Sequence, residues 1–126
     1  MSTDSRSWRR AVVLVGLAYV AIGLGFAQLP GRGARLAAWA GSAIIYLLHI
    51  RYELKGERPA GVAALHTALA AALGACGLAV GATIHAVATA TFRGAYGVAL
   101  VAWPVLTGLP AFAVAWLIAS LVARRG

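Results

Sequence analysis

The sequence predicts an all-α integral membrane protein, a bundle of four transmembrane helices with both termini cytoplasmic. Three observations carry this. Of the 126 residues, 62% are hydrophobic and only 11% are charged. A soluble domain carries about 25% charged residues, so the chain lacks the polar surface to cover a water-soluble globule. The apolar residues also gather into four long runs cut apart by arginines. In hydrocarbon each run must satisfy its own backbone hydrogen bonds, which makes each a helix. Finally, the basic residues are shared unequally between the two sides that such runs would connect, and that asymmetry sets orientation. The short alternating segments of a β-barrel do not occur.

Residues 1–10 read as a polar cytoplasmic tail, and residues 11–123 as a single four-helix transmembrane domain. The first helix is expected over about 11–29, between Arg10 and Arg32, a length that suits a spanning helix. A basic start, an apolar stretch and the small residues Gly25 and Ala27 are also the ingredients of a cleaved secretory signal. The run exceeds the roughly 7–15 apolar residues of a signal core, so a retained helix is the expectation.

The second run is the shortest, and its helix is expected over about 36–52 with Arg35 and Arg51 snorkelling outward. The segment from Arg51 to Pro59 mixes charges of both signs and reads as a solvated turn. The third helix, expected over 61–90, is rich in alanine and glycine and poor in bulky side chains. It has little to offer lipid but permits close backbone approach, which puts it at the packed centre of the bundle. Gly74, Gly77 and Gly81 are its candidate packing residues, the last two forming a G-x-x-x-G pair.

The fourth helix, expected over 97–123, contains Pro104 and Pro110. Each removes a backbone donor, so a kink or local unwinding is expected there. Arg32-Gly33-Ala34 and Arg93-Gly94-Ala95 precede the second and fourth helices, and each is followed by a tryptophan, Trp39 or Trp103. Three matching residues in an Ala/Gly/Arg-rich chain do not establish a repeat.

Orientation follows from the arginines and the single lysine. Four spans put Arg6, Arg9, Arg10, Arg51, Lys55, Arg58, Arg124 and Arg125 on one side, and Arg32, Arg35 and Arg93 on the other. The richer side is cytoplasmic. The formal charge of +8 therefore serves anchoring and attraction to anionic head groups. No basic face with interleaved aromatics is present for nucleic acid. The lone Cys76 excludes an intramolecular disulfide, and in apolar surroundings a thiol is expected to be inert.

For chemistry the sequence offers little. No nucleophile motif, nucleotide loop or metal-ligand spacing occurs, so there is no candidate catalytic or metal residue. Glu53 and Glu57 fall in the charged loop, leaving no acid in the middle of a run, where a cation-coupled transporter would keep one. His49 ends the second run and His66 begins the third, at matching depth on neighbouring helices. Two such imidazoles are the pattern that ligates haem or a metal ion. Helix-bridging histidines, bonded to neighbours such as Thr67 or Thr89, explain them more simply, so a cofactor ranks behind. Tyr19 lies deep and is expected to bond across the bundle, while Tyr46, Tyr52, Tyr96, Trp8, Trp39 and Trp116 suit interfacial belts.

The leading expectation is a non-catalytic structural or accessory subunit of a bacterial inner membrane. Its partners would be the lipid bilayer and either itself or other membrane subunits, met through Gly74, Gly77 and Gly81. The alternatives are a small oligomeric transporter or channel, with His85, Pro104, Thr107 and Pro110 along its pathway, and a haem- or quinone-binding redox subunit using His49 and His66.

Overall fold

A computed structural model describes residues 3–124, with side chains from residue 7 onward. Of the basic residues counted for orientation, Arg125 and the side chain of Arg6 lie outside that description. The chain forms four helices: α1 (Thr3–Ala27), α2 (Arg32–Lys55), α3 (Ala60–Ala88) and α4 (Gly94–Ala123). Each contains a stretch long and apolar enough to cross a membrane.

The helices outrun the apolar runs that predict them. α1 is already helical through residues expected to be tail, and α2 continues past residue 52 to Lys55. Polar residues at the end of a spanning segment keep the helical backbone while their side chains reach past the hydrocarbon. The connections are correspondingly tight. Gly31, at φ +99°, turns the chain into α2. Pro59 precedes the first residue of α3, where its missing N–H costs nothing and its carbonyl accepts from Val62 and Ala63. Short connections make consecutive helices antiparallel neighbours.

α3 touches all three other helices, with α4 its closest partner. Small residues account for this. Ala63, Ala64, Ala68, Ala70, Ala71 and Ala79 are all buried on it. A Cβ built at Gly74 would stand 2.5 Å from Cβ of Tyr19, and one at Gly77 would collide with Val20. Gly81 faces Leu24 with more room, 3.5 Å. The fit is reciprocal: a Cβ built at Gly16 or Gly23 of α1 would stand only 2.7 or 2.5 Å from the side chain of Leu73 or Leu78 of α3. Side chains of one helix thus sit in glycine notches of the other, which brings the axes close.

α4 runs as unbroken helix through Pro104 and Pro110. The expected unwinding does not occur. Between the prolines the buried Gly108 lies against Ala72 and the Ala68 carbonyl, so α4 is held on α3 across this stretch. Spanning helices tolerate proline when their neighbours hold the backbone in place. Large apolar side chains face outward on all four helices, among them Leu14, Leu48, Leu69 and Leu106. A surface this apolar is suited to lipid rather than to water.

Candidate functional site

The seam between α2 and α4 is where these helices barely meet. It is shut at one end and open at the other, and both ends carry polar groups. One face of α2 supplies most of them. Trp39, Ser42, Tyr46, His49 and Glu53 recur at alternating spacings of three and four residues, so they share one face of the helix.

The shut end is organised by a carboxylate. Glu53, expected in a solvated loop, lies in the last turns of α2 and is fully buried. Arg58, from the α2–α3 connection, donates from Nη1 to Oε2 at 2.6 Å. The Nδ1 of His66, on α3, is 2.8 Å from the same oxygen. A carboxylate only accepts, so the hydrogen of that bond is on His66 Nδ1. His49, one turn before Glu53, brings Nε2 to 3.5 Å of Oε1. That is too long for a firm hydrogen bond. Oε1 and both ring nitrogens of His49 are buried with no hydrogen-bond partner among the described residues. The indole of Trp8, on α1, stacks on His66 with centroids 4.3 Å apart and planes 3° from parallel. The Arg9 guanidinium stands 5.5 Å from the Trp8 ring centre. The carboxylate ties α2, α3 and the connection between them into one end of the bundle, and the Trp8 stack on His66 adds α1.

An apolar contact completes the closure. Ile50 of α2, Ala64 of α3 and Ala115 of α4 pack together, with Tyr46, Leu54 and Ile118 around them. The Tyr46 hydroxyl donates to the carbonyl of Ala111 on α4 and pins the seam.

Beyond Tyr46 the seam opens into a cleft of about 660 Å³. Its floor is built of small residues of α3 such as Gly74, Ala75 and Ala79, together with Tyr19 and Gly23 of α1. Trp39 and Ser42 stand on the α2 wall, Trp103 and Thr107 on the α4 wall. No charged side chain lines it among the described residues. Trp39 is 79% exposed and Trp103 57%, so both stand at the lips of the opening. The two tryptophans that follow the Arg-Gly-Ala segments therefore face one another's side of a single cleft. The expected bond across the bundle from Tyr19 is not made: its hydroxyl is buried with no hydrogen-bond partner among the described residues.

The structure thus brings His49 and His66 together, but around Glu53 rather than around an open space between them. Neither Thr67 nor Thr89 bridges a histidine side chain; Thr67 bonds the carbonyl of Ala63 and Thr89 that of His85. His85 is exposed at the far end of α3 and is not part of the cleft. Thr107 lines the cleft, while Pro104 and Pro110 do not. Gly74, Gly77 and Gly81 all face α1. Among the described residues no group of three or more His, Cys, Asp or Glu is arranged to hold a metal ion. Glu53, Tyr19 and the Trp39–Trp103 pair escape a reading by motif. The signal that finds Glu53 and Trp39 is the three-and-four spacing of polar and aromatic residues along α2, a pattern a purely lipid-facing helix has no reason to carry.

Comparison with protein-family models, with curated proteins and with solved structures finds no match.

Proposed function

We infer that this chain is a non-enzymatic, multi-pass protein of a bacterial cytoplasmic membrane that binds a small membrane-soluble molecule in the cleft between α2 and α4. The observation that carries this is the lateral opening of the cleft. Its mouth lies in the seam between two helices whose outer faces are apolar, so a ligand reaches it from the lipid. Concave, mostly apolar sites with a few convergent polar groups are the usual form of a small-molecule pocket. Uncharged walls do not favour passage of an ion, which would be stripped of water without compensation. With the termini cytoplasmic, the Glu53 cluster sits at the cytoplasmic end and the cleft occupies the opposite half of the bundle.

The accessory-subunit alternative, with assembly through Gly74, Gly77 and Gly81, loses its contact surface because α1 of the same chain already covers those glycines. The haem alternative is not supported by two imidazoles turned to one carboxylate, one of them under an indole.

Lipid extraction tests the binding function. Protein purified in a mild detergent from its own membranes is extracted with organic solvent and the extract is analysed by mass spectrometry. The Ala43→Phe variant, which puts a ring into the cleft from an exposed position on α2, is treated identically. A species recovered in near-stoichiometric amount with the native chain and depleted from the variant is the expected result. Identical lipid content in the two preparations would contradict it.

A further inference from the structure

The cleft is more selective than its apolar walls suggest, and the selectivity identifies a chemical class of ligand. Resting on the reading that the cleft is a binding site, we propose that it takes a neutral, flat-headed lipid with a carbonyl on the ring, a quinone-type molecule, with Tyr19 donating the hydrogen bond that recognises the carbonyl.

The Tyr19 hydroxyl is the key group. Tyr19 lines the cleft, its hydroxyl is buried, and nothing accepts that hydrogen among the described residues. A buried hydroxyl left unpaired costs about 1–3 kcal/mol. A ligand that brings an acceptor to it removes that cost, whereas a plain alkyl chain leaves it in place. Tyr46 lines the same cleft but spends its hydrogen on the Ala111 carbonyl, which leaves Tyr19 the phenol with a hydrogen to give.

Charge decides against the ionic lipids. A phosphate, carboxylate or ammonium head would be buried beside hydroxyls and indoles alone, with no opposite charge in the lining. Burying an unpaired charge is prohibitive. The cations of the bundle's other end are not spare: Arg58 and His66 are engaged with Glu53. The head is therefore uncharged.

Shape decides for a ring. The walls present indoles from both sides of the seam, Trp39 from α2 and Trp103 from α4, with the two phenols deeper in. Aromatic faces gain most from flat partners in offset or edge contacts. The alanine and glycine floor on α3 leaves a smooth track for the attached tail, which leaves through the same lateral mouth that admits the ring. The hydroxyls of Ser42 and Thr107, on opposite walls, stand ready for a second ring oxygen.

The test uses the full chain in nanodiscs and the fluorescence of its own tryptophans. Decylubiquinone is titrated into the native protein, Tyr19→Phe and Ala43→Phe, beside 4-bromodecylbenzene, a ring-and-tail quencher with no oxygen. The expected result is saturable quenching by decylubiquinone in the native chain that is lost in Ala43→Phe. Its midpoint should move about fivefold to tenfold higher in Tyr19→Phe, the loss of one hydrogen bond. Bromodecylbenzene should bind more weakly, with the same midpoint in the native chain and Tyr19→Phe. Equal midpoints for the two quenchers, or a quinone midpoint untouched by Tyr19→Phe, would overturn the assigned head while leaving the cleft as a binding site. Quenching by both compounds that is identical in the native chain and Ala43→Phe would instead overturn the binding site itself. Tyr19→Phe removes one oxygen and no packing volume, so a change in its midpoint is not a folding defect.

Discussion

The two ends of the α2–α4 seam are built on opposite principles. At the Glu53 end, one buried carboxylate gathers Arg58, His66 and, at longer range, His49, and Tyr46 fastens α2 to α4. At the Trp39–Trp103 end the same two helices stand apart over a floor of alanine and glycine. In lipid, hydrophobic burial does not drive helices together, because the solvent is as apolar as the side chains. Association needs either close backbone packing or polar bonds. α1 and α3 have the first, through reciprocal glycine notches, and the Glu53 end has the second. The open half of the seam has neither. The gap between α2 and α4 therefore follows from which residues the two helices carry.

The largest expected effect comes from breaking the shut end. Glu53→Gln leaves two histidines and an arginine around an uncharged amide. Removing one partner from a buried charge cluster costs about 3–5 kcal/mol. Unfolding titrations in mixed micelles should show a loss of that size, and a loss below about 1 kcal/mol would mean the cluster does not hold the bundle.

Next in size are the glycine notches. Gly74→Leu must displace Tyr19, for an overpacking cost of about 1–3 kcal/mol and with the cleft floor disturbed as well. Gly25→Leu, where a side chain would meet nothing within 4 Å, should be nearly neutral in the same titration. If both variants lose equal stability, α1 does not lie on α3 as described.

Tyr46→Phe cuts the hydroxyl bond to the Ala111 carbonyl and nothing else. A loss of about 1 kcal/mol is expected, together with a larger hydrogen-exchange rate in α4 around Ala111 and an unchanged rate around Ala86 of α3. The smallest effect belongs to His85, which is exposed at the far end of α3. His85→Gln should fall within about ±0.5 kcal/mol of the native chain, and a larger loss would reveal a contact the fold does not contain.

The four helices were legible because apolar residues accumulate over each long run and single polar residues do not erase the signal. Their ends were not, and one such error hid the site. Ending α2 at residue 52 put Glu53 in solvent among Arg51, Lys55, Glu57 and Arg58, where mixed charges look like a turn. One more turn of helix buries it between His49 and His66. The central place of α3 was readable from its lack of bulk, but the partner of its glycines was not. A G-x-x-x-G pair says that something packs closely and leaves open whether that is another chain or α1; Gly16 and Gly23, seven residues apart on α1, are the matching half of the answer. The prolines of α4 predict a kink or local unwinding because each removes a backbone donor; the helix runs on through both, held on α3 at Gly108. The cleft was the least legible feature, since it depends on where α2 and α4 fail to touch, and no single residue encodes a gap.

The contrast between the two ends is tested most directly by quenching single-tryptophan proteins in bilayers of phosphatidylcholine brominated at mid-chain. Trp39 and Trp103 lie seven and nine residues into α2 and α4, about 10–14 Å from the starts of those helices, and they stand exposed at the lips of the cleft. Trp8 is stacked on His66 at the shut end. Strong quenching of Trp39 and Trp103, relieved by Ala43→Phe or by a bound cleft ligand, with Trp8 weakly quenched and unresponsive to either, is the predicted result. Equal quenching of all three, unchanged when the cleft is filled, would mean that the seam is not open at one end and closed at the other.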